Sequence, residues 1–160
     1  MIWQFGSLAA TEAWAHRFAA LVPIPGVLYL QGELGAGKTA LARALIHALG
    51  YSAVVRSPTY TLVESYETPA GMVLHFDLYR LNEPEELEYL GLRDYLQQNA
   101  LWLVEWPERA LEYLPPADLV LQLALLGETT HRLAAAAQSA RGEAWLAALV
   151  DFAGGDFAHG

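Results

Sequence analysis

Cysteine is absent from the 160-residue sequence, and of its nine basic side chains only one, Lys38, is a lysine. Without thiols the chain forms neither disulfides nor thiolate metal sites, which fits a reducing compartment. Basic charge is scarce altogether: nine Lys and Arg against 18 Asp and Glu leave a net charge of -9. No broad basic face is available to grip nucleic acid by its phosphates, so direct RNA binding is not expected and any RNA would be held by a partner. Long apolar runs are missing too, as are the basic start and apolar stretch of a secretion signal, so no membrane contact is expected and a cytoplasmic location follows by default. What remains, 54% hydrophobic and 17% charged residues with no repeat and no linker, is the balance of one globular domain. That domain is expected over residues 1–153, with a loose, patternless tail at 154–160.

The single lysine sits in Gly32-Glu33-Leu34-Gly35-Ala36-Gly37-Lys38-Thr39, a glycine, four free positions, then Gly-Lys-Thr. The glycines permit a tight turn whose backbone N–H groups converge on one point, and a following helix adds its unpaired amides and positive dipole end. An anion belongs there. Lys38 would reach the β- and γ-phosphates as a point charge, and the Thr39 hydroxyl would take one position on Mg²⁺. The flanks agree with this: Val27 to Gln31 is a short β-rich run, and Ala40 to Leu49 is rich in helix formers and closes at Gly50.

Before the loop, residues 2 to 6 read as a strand and Thr11 as the cap of a helix through Leu21, which Pro23 and Pro25 stop. Thr11 lies in the element preceding the loop strand, which makes it a candidate for contact with a nucleotide base, a plain helix cap being the commoner role. After the loop helix, Ser57-Pro58-Thr59 is a turn signal placed where nucleotide switches sense the γ-phosphate through a hydroxyl, although such turns commonly do nothing but turn. An alternating run from Tyr60 to Glu67 and a β-patterned run from Met72 to Arg80 are joined by a hairpin turn at Thr68 to Gly71. In the second run His75, Asp77 and Tyr79 share one face, either a solvent-exposed face or a row of polar groups buried for a use. Asn82 and Glu85 suggest a capping box opening an acidic, solvated helix.

Leu101 to Glu105 is the most continuously apolar strand candidate and ends in a carboxylate. Glu105 is therefore the expected metal-side acid and Asp77 the group expected to position water, with Trp106 either walling the site or filling core. Asp118 to Leu125 and Arg132 to Ala137 read as further strands, and residues 143 to 153 as a last amphipathic helix. The sum is an α/β class: a single-domain P-loop NTPase with a mixed, largely parallel central sheet flanked by helices.

Taken together, the phosphate loop, Ser57-Pro58-Thr59, His75-x-Asp77-x-Tyr79-Arg80 and Glu105-Trp106 resemble the TsaE family (also called YjeE) in order and spacing from about residue 7 to residue 132. The resemblance implies ATP hydrolysis: Gly35, Ala36, Gly37, Lys38, Thr39 and Ala40 hold the phosphates, and Thr39 and Glu105 hold Mg²⁺. Catalysis is then assigned to Lys38, Asp77 and Glu105, with Asp77 needed for hydrolysis and Ser57 to Thr59 acting as a switch. It further implies that Thr11 and Arg132 approach the adenosine end. The implied partners are TsaD, which transfers a threonylcarbamoyl group to adenosine in tRNA, and TsaB. Tyr60 departs from the phenylalanine usual after Ser-Pro-Thr, and Ala40 from a frequent second threonine. The alternative is a small-molecule P-loop kinase with Asp77 as base, but such enzymes carry a lid of several basic residues, and Arg17, Arg43 and Arg93 fall in separate predicted helices.

Overall fold

The computed structural model describes residues 1–22 and 24–152. Seven strands, β1 (Ile2–Phe5), β2 (Gly26–Gln31), β3 (Val63–Thr68), β4 (Gly71–Asp77), β5 (Ala100–Glu105), β6 (Leu119–Leu125) and β7 (His131–Ala137), form one sheet in the order β1-β7-β6-β2-β5-β4-β3. The helices are α1 (Leu8–Leu21), α2 (Lys38–Ala48), two short pieces α3 (Glu86–Tyr89) and α4 (Leu92–Leu96), and α5 (Ala140–Phe152). The four central strands β6, β2, β5 and β4 run parallel, while β3 and the β7–β1 ribbon add antiparallel edges. This is the mixed, centrally parallel α/β sheet expected from the sequence. Among the described residues no helix is long and apolar enough to cross a membrane.

Strand alternation divides the core. Leu28 and Leu30 of β2 and Leu101 and Leu103 of β5 pack with Trp14, Phe18, Leu41, Leu45 and Trp145 of α1, α2 and α5. Tyr29, Trp102 and Val104 turn the other way, onto Leu74, Phe76, Leu87 and Leu92. With both faces covered, β5 is buried along its whole length, which is why it reads as a continuous apolar run. Trp14 and Phe18 stack at 5.0 Å and Phe18 meets Trp145 edge-on at 6.2 Å, tying α1 to α5.

Asp118, just before β6, locks the frame of the sheet. Its carboxylate accepts from Val27 N at 2.9 Å and from Ser139 Oγ at 2.6 Å, joining β2, β6 and the start of α5. Asp118→Ala leaves those donors without their charged acceptor, so a loss of about 2–4 kcal/mol is expected in the urea unfolding free energy. A midpoint equal to the parent's would show that the clamp is dispensable.

Several boundaries differ from the sequence expectation. Ser7, not Thr11, caps α1: its extended backbone lets Ser7 Oγ accept from Ala10 N at 3.2 Å, and Thr11 sits in the first turn donating to Ser7 O at 3.4 Å. The β3 strand starts only at Val63, because Tyr60 and Thr61 lie in a turn closed by Leu62 N to Pro58 O at 2.8 Å. The β4 strand ends at Asp77, leaving Tyr79 and Arg80 in the turn beyond. No capping box forms at Asn82; Pro84 disfavours helix at Glu83, the helix waits until Glu86, and the Glu86 carboxylate accepts from Glu83 N at 3.2 Å. The last helix starts earlier than expected, at Ala140, where Ser139 Oγ accepts from Gly142 N at 3.1 Å. Pro23, residue 153 and the tail at 154–160 lie outside the described residues.

Candidate functional site

The phosphate loop leaves β2 at Gln31 and enters α2 at Lys38, between two parallel strands and the first turn of a helix. Two of its glycines are required by geometry. Gly32 has φ 147°, and a Cβ there would lie 2.4 Å from Leu123 O; Gly37 caps α2 in the left-handed region at φ 102°, where His131 of β7 closes in. His131 Nδ1 lies 3.0 Å from Ala36 O, so β7 braces the loop from the side.

Lys38 is 4% exposed and folded back on its own loop, donating from Nζ to Gly32 O at 2.6 Å and Glu33 O at 2.7 Å. The same ammonium lies 4.3 Å from the centre of the Trp106 ring, so Trp106 walls the site. Burial lowers the Lys38 pKa from its ordinary value, against the opposing pull of Glu105, Asp77 and Glu108. The ammonium is thus held by two loop carbonyls, partners that a phosphate can replace.

Both acids sit at the carboxyl ends of parallel strands, facing each other across the β4–β5 ladder. Glu105, 2% exposed, accepts from the Thr39 hydroxyl through Oε1 at 2.8 Å, and its Oε2 lies 2.6 Å from His75 Nε2. Asp77 accepts from Tyr79 N at 3.1 Å through Oδ1 and from Thr59 Oγ1 at 3.4 Å through Oδ2. Thr59 Oγ1 is in turn 2.6 Å from Ser57 Oγ, which strings the Ser-Pro-Thr turn onto Asp77. Burial, then repulsion from Glu105, raises the Asp77 pKa above its ordinary value; the Tyr79 N–H, His75 and Thr59 work the other way. The face bearing His75 and Asp77 is buried, which removes the solvent-exposed alternative.

A cleft of about 420 Å³ brings together Gly35, Gly37, Lys38, Thr39 and Ala40 with Thr59, Asp77 and Glu105. Around the corner of the loop a smaller hollow of about 90 Å³ is lined by Thr11, Gly37, Ala40 and Arg132, so the two residues expected near adenosine share one recess beside the phosphate loop. Ser57 and Ala36 line neither; Ser57 touches Thr59, and Ala36 is buried with its carbonyl on His131. His131 is a residue of the site that the sequence reading did not single out, and Arg80, quoted there in the His-x-Asp-x-Tyr-Arg signature, was given no role. Arg80 lines the cleft while its guanidinium rests 4.7 Å from the Tyr60 ring centre. Arg17, Arg43 and Arg93 stay on α1, α2 and α4, so they form no basic lid over the cleft.

This arrangement has known counterparts. Residues 5–134 match the family model described as "Threonylcarbamoyl adenosine biosynthesis protein TsaE". The chain belongs to the TsaE family. Among TsaE proteins, that of Haemophilus influenzae is 48% identical over 97 residues, 61% of this chain and 61% of its own length. The TsaE protein of Bacillus subtilis is 33% identical over 131 residues, 82% of either chain. The crystal structure of Bacillus subtilis YdiB superposes with a TM-score of 0.79 at 28% identity, covering 95% of both chains. The TsaE match takes in the phosphate loop, the Ser-Pro-Thr turn, both acids and Arg132, and leaves out α5.

Proposed function

We propose that this protein binds ATP with Mg²⁺ and hydrolyses it slowly by itself, and that it serves threonylcarbamoyladenosine modification of tRNA in the cytoplasm by acting on TsaD and TsaB. The observation that carries the reading is the convergence of the Lys38 ammonium, the Thr39–Glu105 pair and the Thr59–Asp77 pair on one cleft at the ends of β2, β4 and β5. The pathway assignment rests on the TsaE relatives, whose printed names are "tRNA threonylcarbamoyladenosine biosynthesis protein TsaE".

The donors fit Mg²⁺. A hydroxyl and a carboxylate oxygen 2.8 Å apart are hard oxygen ligands, and Mg²⁺ at nucleotide sites takes one or two protein groups together with phosphates and waters. Among the described residues no group of three or more His, Cys, Asp or Glu could hold a metal ion by itself, so phosphates and waters would complete the coordination. Thr39 and Glu105 would hold the ion, which would supply positive charge against the phosphates. Lys38 leaves the Gly32 and Glu33 carbonyls for the β- and γ-phosphates, and the loop amides cradle them. Asp77 orients a water for attack on the γ-phosphorus; the bond from that phosphorus to the β–γ bridging oxygen breaks, and ADP and phosphate leave. Thr59 and Ser57, tied to Asp77, report the loss of the γ-phosphate as a change in the turn that carries them.

Phosphate release from MgATP, by the protein alone and with TsaD and TsaB added, tests the proposal. Slow release alone and a clear increase with the pair are expected. Release that the pair leaves unchanged, joined by activity that appears only with a metabolite acceptor, would replace it with the kinase reading.

A further inference from the structure

His75 is wholly buried in β4, two residues before Asp77, and the reaction outlined above gives it no task. One of its ring nitrogens is well used: Nε2 lies 2.6 Å from Glu105 Oε2. The other, Nδ1, is buried without any hydrogen-bond partner. Together these facts place the ring proton on Nε2, donated to Glu105. The opposite tautomer would set a lone pair against a carboxylate oxygen and bury an unmade N–H besides.

An unmade hydrogen bond at a buried polar atom costs about 1–3 kcal/mol, a cost that an apolar side chain would avoid. The strand neighbours, Val73, Leu74 and Phe76, are all apolar and buried, so core filling alone calls for another of their kind. What the imidazole adds is a donor to Glu105. With Thr39 on Oε1 and His75 on Oε2, both oxygens of that carboxylate are tethered, although Asp77 faces it across the ladder and repels it. Without the His75 tether the carboxylate can rotate away from Thr39, towards the Lys38 ammonium.

We infer that His75 is a positioning residue for the cation site: it fixes the rotation of the Glu105 carboxylate so that Oε1 stays beside the Thr39 hydroxyl. The inference rests on the reading that Thr39 and Glu105 hold Mg²⁺. Groups that orient a ligating carboxylate are worth about 10–100-fold in metal affinity, which sets the expected effect.

The test uses Mn²⁺ as the probe, its binding to the full-length protein followed by electron paramagnetic resonance in the presence of saturating ADP. ADP affinity in EDTA is measured alongside. His75→Leu is expected to weaken Mn²⁺ binding about 10–100-fold and to leave metal-free ADP binding unchanged. His75→Gln, whose amide N–H extends to the place of Nε2, restores most of the Mn²⁺ affinity; His75→Asn, one methylene shorter, does not. A merely structural role would not separate Gln from Asn in this way. Parent-like Mn²⁺ affinity in His75→Leu, equal Mn²⁺ affinities in the Gln and Asn variants, or a parallel loss of metal-free ADP binding in the variants overturns the inference. If the parent protein's ADP complex gained no Mn²⁺ affinity over Mn²⁺–ADP in buffer, the assignment of Thr39 and Glu105 to the cation would fall first, and the role of His75 with it.

Discussion

Lys38→Ala is expected to lower ATP and ADP affinity about a hundredfold or more, to the point where titration calorimetry detects no binding at micromolar protein. The ammonium is the cation nearest the loop, buried against it and aimed at Gly32 O and Glu33 O from within. Two hydrogen bonds between charged groups contribute about 1.5–3 kcal/mol each, so their joint loss corresponds to roughly two to four decades in affinity. Repulsion adds to this, since without Lys38 the cleft would present Asp77 and Glu105 to a polyanion with one cation fewer. Lys38→Arg is not expected to rescue binding: a planar, forked guanidinium does not reproduce the compact ammonium that sits 2.6 and 2.7 Å from the loop carbonyls and 4.3 Å from the Trp106 ring centre. Nucleotide affinity equal to the parent's in Lys38→Ala would mean that the cleft is not the nucleotide site.

How far the site could be read from the sequence depended on how local its chemistry is. The phosphate loop was legible because glycine spacing, Lys38 and Thr39 act within eight consecutive residues, and the strand and helix around them announce themselves by composition. Glu105 was legible because β5 is buried on both faces and ends abruptly in a charge. The His75–Glu105 contact was not, since it depends on the register of β4 against β5, which is set by the whole sheet. Nor was His131: it reaches Ala36 from a strand 95 residues further on, and a lone histidine at the start of an alanine-rich strand carries no local signal. At α1 the error was one of competition, because Ser7 and Thr11 are comparable caps and only the extended backbone at Ser7 decides between them.

Asp77→Asn separates hydrolysis from binding and, unlike most substitutions of buried residues, is expected to make the nucleotide-free protein more stable. Without a carboxylate to orient the attacking water, kcat for phosphate release should fall about 10²–10⁴-fold, while ADP affinity stays at the parent's value. Glu105→Gln should do something different and raise the Mg²⁺ concentration needed for half-maximal activity, because its site is tied to Thr39 rather than to the Ser57–Thr59 turn. Stability supplies the independent check. Burial and the nearby Glu105 raise the Asp77 pKa in the folded protein above the 3.8 of an ordinary aspartate. A carboxyl shifted in that direction favours folding when protonated, so its contribution is present below the unfolded value and is lost as pH rises through the folded value. At neutral pH the ionised side chain therefore costs stability, and the neutral amide of asparagine, which keeps an acceptor for Tyr79 N, removes that cost. Asp77→Asn should melt at a higher temperature than the parent at pH 7, and the difference should shrink as pH falls through the raised folded-state value, where the parent carboxyl takes up its proton, and be gone below the ordinary 3.8. A variant that hydrolyses ATP normally would take the water-positioning role from Asp77, and one that melts lower at pH 7 would show that the hydrogen bonds to Thr59 and Tyr79 outweigh the buried charge.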